Sequence, residues 1–169
     1  MLLTRENQDM NIFVLDHSPE KAARYHCDQH VVKMILESAQ MLCTAAIAHG
    51  IQAPYRPTHV KHPCTLWIGQ SSANWDWLVA LAAALNQEYK RRFGHTTDHK
   101  SWTVITQLEK PRSFPQHHLT PFAQAMPEKY RNPADTVAAY RAFYIGEKAS
   151  FATWKYSEQP AWFRLRDNS

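Results

Sequence analysis

Glycine is scarce here, at 4 residues among 169. So few glycines argue against a glycine-cradled nucleotide fold and a turn-rich all-β sandwich, and neither GxGxxG nor GxxxxGK[ST] occurs. Cysteine is also sparse: Cys27, Cys43 and Cys64 are odd in number and far apart, which speaks against a disulfide scaffold and for reduced, buried thiols. The opening MLLTRENQD lacks the apolar run of a secretory signal, and no later stretch reads as a bilayer span, which together point to a cytoplasmic protein. Residues 1–10 read instead as a flexible leader ending at Met10, a second candidate start of translation.

What is present describes one ordinary globular domain over 11–169. Hydrophobic residues make up 44% and charged residues 20%, too apolar for a disordered chain and too polar for a membrane bundle. The 19 Lys and Arg outnumber 15 Asp and Glu for a net charge of +4, with 10 histidines besides, a mild bias toward a phosphate-bearing partner.

Along the chain the patterning is helical. Ile12 to Leu15 is an apolar run too short to separate a strand from an extended lead-in. Ser18-Pro19-Glu20 starts a helix: a hydroxyl cap, proline at the first position, an acid in the first turn. Helical character continues, with a break near Cys27-Asp28, to a stop at Gly50. Pro54, Pro57 and Pro63 make 51–63 a loop, and Leu78, Leu81, Leu85 and Tyr89 set the period of a second long helix over 64–93, closed by Gly94. Thr97 or Asp98 caps a shorter helix running to about Glu109. Pro111, Pro115, Pro121, Pro127 and Pro133 exclude a long helix over 111–133. Asn132-Pro133 opens a last helix with Val137, Tyr140, Tyr144 and Phe151 on one side. The predicted fold class is all-α, with two long helices, two shorter ones and a long proline-rich loop.

Within the first long helix most positions are apolar, the composition of a buried rod. His30, Lys33, Glu37, Gln40 and Thr44 step by three and four residues and form one polar stripe. The plain alternative is a thin solvent-facing edge, with Lys33 and Glu37 a surface pair of small value. On a core helix, an acid, an amine, an imidazole and an amide in register also suit the wall of a cleft, where partial burial prepares groups for general acid–base work. A second cluster, Arg56, His59, Lys61, His62 and Cys64, precedes the second long helix. No common zinc spacing is met, so the reading includes no metal and no cofactor. A basic loop beside a cleft better suits nucleic acid, with Arg24, Gln40, Arg56, Lys61, Arg91 and Arg92 as candidate DNA contacts and double-stranded DNA as the partner.

The string Asp28-Gln29-His30 with Glu37 seven residues after the histidine, the later His62 with Thr65-Leu66-Trp67, and Thr153-Trp154-Lys155-Tyr156 near the end carry a resemblance. In this order and spacing they resemble the phage pyrimidine-dimer DNA glycosylase/AP-lyase family of the endonuclease V type, which is a single, mainly helical domain. The resemblance implies that Glu37 is the essential acid, with His30 and His62 as neighbours. In that family the α-amine of an N-terminal threonine attacks the sugar C1′, displaces the base and forms a Schiff base that leads to strand cleavage, on a nucleotide flipped from a kinked duplex.

Here Leu2 follows Met1, Asn11 follows Met10, and Leu36 and Gln40 stand where the family has arginines. The same covalent route then requires a different amine, and Lys33, one turn before Glu37, is the internal candidate. Three functions follow. The first is a glycosylase/lyase using Lys33 and Glu37. The second is a phage DNA base-hypermodification transferase: it joins a small amine or amino acid to a pyrophosphorylated hydroxymethyl-pyrimidine, with Glu37 as base and His62, Arg56 or Lys61 on the departing phosphate. The third is a DNA-binding relative without catalysis.

Overall fold

A computed structural model describes residues 10–164. The leader therefore lies outside the described residues except for Met10, which is buried. Residues 10–15 form no strand but cross the interior, with Ile12, Phe13, Val14 and Leu15 all buried. Phe13 stacks on His30 at 4.5 Å and meets Tyr140, Tyr144 and Phe143 edge-on.

Helix α1 spans Pro19–Tyr25, with Ser18 accepting from the Lys21 amide as its cap. After a break at His26 and Cys27, α2 runs Asp28–Ala48 and packs against three later helices. Among the described residues, α2 alone is long and apolar enough to cross a membrane, which the sequence reading did not allow; 67% of its most apolar window is buried inside the protein, as in a core helix.

The second long helix is in fact two, α3 over Pro63–Gln70 and α4 over Ser72–Phe93. At the break, Ser71 is extended, and its hydroxyl caps the Ala73 amide while donating to the His118 carbonyl. The Ser72 amide donates to Gln116 and the Gln116 amide to Gln70, so the proline-rich segment supplies the hydrogen bonds that a continuous helix would have made. Gly94 ends α4 in the left-handed region at φ 68°, where a glycine carries no steric cost.

Helix α5, Lys100–Gln107, is capped by His99 and not by Thr97 or Asp98. The Asp98 carboxylate is taken by Lys90 at 3.0 Å and the Asn86 amide at 2.9 Å. The 111–133 segment is irregular apart from a 3-10 turn at Glu128–Tyr130, and it tucks Phe114, Thr120, Ala125 and Met126 into the core. Helix α6 is Thr136–Phe143, started by Asp135 and not by Asn132-Pro133. A π turn over Tyr144–Lys148 follows, and its wider pitch takes Phe151 out of the register of Val137, Tyr140 and Tyr144.

One buried cation joins these pieces. Arg92, near the end of α4, donates to the carbonyls of Arg24, in the last turn of α1, and His26, just past it, and lies 3.2 Å from Asp28 and 3.4 Å from Glu88. It therefore satisfies carbonyls that a helix end leaves without partners and neutralises the acid that opens α2. Arg92→Met leaves two carboxylates without their buried cation and is expected to cost about 3–5 kcal/mol of unfolding free energy by urea denaturation. Lys110→Met, which removes an exposed pair with Asp76, should cost no more than about 1 kcal/mol.

Candidate active site

Glu37 is the centre of the candidate site. It lies on α2 with only 5% of its surface exposed. Its Oε1 accepts the Asn11 main-chain N–H at 3.1 Å, and its Oε2 faces the Lys33 ammonium at 3.8 Å. Asn11 comes from the N-terminal segment crossing the core, so a hydrogen bond between residues 26 apart in the chain holds the carboxylate. The Asn11 side chain is itself tightly held. Its Oδ1 accepts from Tyr140 Oη at 2.8 Å and from Cys64 Sγ at 3.7 Å, and its Nδ2 donates to the Ala125 carbonyl at 2.8 Å. Burial pushes the Cys64 thiol up to about 12 and the Tyr140 phenol well above its ordinary value, so both remain protonated donors.

The polar stripe is thus largely turned inward. His30, Glu37 and Thr44 are buried and Gln40 is half-buried, while the Lys33 side chain is 52% exposed. Thr44 spends its hydroxyl on the Gln40 and Thr58 carbonyls, anchoring the loop that follows α2. His30 shares a 2.7 Å hydrogen bond with Tyr144 Oη and stacks on Phe13. Burial, aided by the nearby positive charges of His26, Lys148 and Lys33, pulls the His30 imidazole down to about 2. It is neutral near neutral pH and packed between Phe13 and Tyr144. His62 caps α3: its Nδ1 accepts the Cys64 amide at 3.1 Å, which leaves the proton of the neutral ring on Nε2.

The candidate DNA contacts separate into three groups. Arg92 has a fully buried side chain committed to the helix junction, so it is not available to a phosphate, and the expectation for it is corrected. Arg91 is half-exposed yet engaged with Glu88 and the Tyr156 carbonyl. Arg56 and Lys61 are exposed on the loop before α3, and Arg24 is exposed beside Lys21 on α1. In the same loop His59 adopts a left-handed φ of 51°, a conformation costing a non-glycine residue roughly 1–3 kcal/mol. The hydrogen bonds of Thr58 to Thr44 and His59 hold it there.

Asn11 and Lys148 were not singled out as site residues. The only signal for Asn11 was one amide in the apolar run from Met10 to Leu15. Lys148, at the end of the π turn, holds its ammonium over the Phe13 and Phe143 rings, at 5.9 and 4.7 Å, near His30. No periodicity argument anticipates that turn.

Two neutral buried imidazoles make stability depend on pH. His26 is lowered to about 4, chiefly by burial, and His30 to about 2. In the unfolded chain both titrate near 6.5, so the unfolded state binds more protons on acidification. Their contribution is fully present above pH 6.5 and is lost as pH falls toward those lower values. Urea denaturation should show a loss of about 1.4 kcal/mol per pH unit for each histidine below about pH 6, down to about pH 5. A flat stability profile across that range would contradict the assignment.

Neither the curated proteins nor the solved structures include a significant match to this chain. The profile of the pyrimidine dimer DNA glycosylase family, in contrast, matches residues 10–101. That span is more than half of the chain and contains Asn11, Lys33, Glu37 and His62 together with the helices that hold them. The chain therefore belongs to the pyrimidine dimer DNA glycosylase family, whose members act on DNA.

Proposed function

We propose that this protein is a DNA glycosylase/lyase working on a nucleotide extruded from double-stranded DNA, with Glu37 as its acid–base group and Lys33 as its amine. The observation that carries this reading is the pairing of a buried carboxylate, held by the Asn11 amide, with a half-exposed lysine 3.8 Å away. Passing one proton from the Lys33 ammonium to the Glu37 carboxylate removes two charges from a partly dry site and leaves a neutral amine beside a neutral acid. The amine then attacks C1′ of the extruded nucleotide, and the base departs with the sugar–base bond electrons and collects a proton. The nitrogen gives one proton back to the Glu37 carboxylate; the C1′–O4′ bond then breaks, O4′ takes up the remaining N–H proton, and the C1′=N imine forms. Arg24, Arg56 and Lys61 are the exposed cations offered to the phosphates. His62 serves as a neutral Nε2–H donor.

A second reading is supported by the group that Glu37 meets from the N-terminal side. Asn11 presents a peptide N–H there, which is no nucleophile. An amine brought from solution, a small amine or amino acid, would take the role. Glu37 would deprotonate it for attack on the exocyclic methylene carbon of an activated hydroxymethyl-pyrimidine, with pyrophosphate leaving as the C–N bond forms.

Borohydride reduction separates the two. On ultraviolet-damaged or abasic duplex the glycosylase/lyase should be trapped as a covalent adduct, lost in Lys33→Ala and reduced at least about a hundredfold in Glu37→Gln. An adduct that survives Lys33→Ala identifies a different nucleophile. For the second reading, digestion of pyrophosphorylated DNA after incubation with amino acids should yield an amine-modified thymidine by mass spectrometry. That product should be missing with Glu37→Gln.

A further inference from the structure

The exposed face of α2 holds Lys33 of the polar stripe and the surface beside it, and part of that surface is apolar. Val32 is 38% and Leu36 41% exposed, four residues apart and so stacked on one side of the helix, with Lys33 exposed between them. Gln29 is exposed on the same side one turn earlier, and half-buried Gln40 follows one turn later. Around the rest of the helix Val31, Met34, Ile35, Ala39, Met41 and Leu42 are buried, so core packing already has its apolar surface. Leu36 also directly precedes Glu37, which is buried against the Asn11 amide.

We infer that Leu36, supported by Val32, is a wedge that enters the base stack and fills the space left by the extruded nucleotide. This rests on the reading that the protein acts on an extruded nucleotide. The composition of this surface argues for bases as its occupant in preference to the sugar–phosphate backbone. A surface that tracks phosphates is built from arginine and lysine, whereas side chains inserted between base steps are aliphatic or aromatic. Here two aliphatic side chains flank a single ammonium that is shared with Glu37, while the exposed cations Arg56 and Lys61 stand on the loop that follows α2. The half-buried Gln40 amide extends this surface with a group able to donate to and accept from base edges, while the Gln29 amide is held by Thr153. An apolar side chain at this spot offsets the lost stacking without introducing a charge into the gap, and its position next to Glu37 couples opening of the duplex to delivery of the nucleotide.

The test uses a duplex carrying 2-aminopurine beside an uncleavable tetrahydrofuran abasic residue, and the matching single strand. Wild-type protein should raise 2-aminopurine fluorescence severalfold. Leu36→Ala should lose most of that rise and bind the duplex about tenfold more weakly, with single-strand affinity and the thermal unfolding midpoint unchanged. Leu36→Met should restore the signal, and Leu119→Ala, a truncation at another exposed leucine, should leave it intact. A wild-type rise that persists in Leu36→Ala, or equal losses on duplex and single strand, overturns the wedge and leaves the proposed function standing. Failure of the wild-type protein to bind any of these DNAs would remove the proposed function and the wedge with it.

Discussion

A single hydrogen bond, from the Asn11 main-chain N–H to Glu37 Oε1, sets the character of the site. A carboxylate taken out of water needs donors in compensation, and a backbone amide held rigidly in the core is a donor that does not reorganise. The amide is rigid because Asn11 is tied to Tyr140, Cys64 and the Ala125 carbonyl, which belong to α6, α3 and the proline-rich segment. Four separate parts of the chain therefore converge on one residue, and Glu37 is buried without being isolated.

The second constraint lies at the start of α2. Asp28 accepts from Arg92, from the Thr153 hydroxyl and from the Lys155 amide, and its own amide donates to the Thr153 carbonyl. Gln29 and Thr153 exchange two further hydrogen bonds. Two of the short strings that carried the family resemblance, Asp28-Gln29-His30 and Thr153-Trp154-Lys155, are thus one structural unit. It pins the C-terminal segment across the beginning of the helix that bears Glu37. The same unit explains why Arg92 is absent from the surface: its guanidinium makes four hydrogen bonds inside the protein.

The chemistry of the site is sorted by solvation. Burial keeps His26 and His30 neutral and holds the Tyr140, Tyr144 and Cys64 protons in place, so these groups pack and donate without exchanging protons near neutral pH. In the proposed function proton movement falls to Glu37 and Lys33, the acid buried on α2 and the amine half-exposed one turn before it. That gradient across one helical turn is what an amine nucleophile with an adjacent base needs.

The all-α class, the Ser18-Pro19 start, the break after α1, Gly94 as a stop and the irregular 111–133 segment were all legible in the sequence, because each follows from local backbone preference or apolar period. Glu37 was legible as the residue to watch through its place in a polar stripe and in a family pattern. The rest depended on partners distant in the chain. Ser71 breaks a helix whose apolar period runs on, since residues 116–118 compete for its hydrogen bonds. Arg91 and Arg92 look alike as neighbours in sequence, yet one is half-exposed and the other is sealed under the ends of two helices. The sequence by itself determined where the chain turns helical and which acid lies on its most apolar helix. Only the tertiary structure decided which side of that helix meets water, because side-chain burial is set by the segments that pack over it, and here those segments come from both ends of the chain.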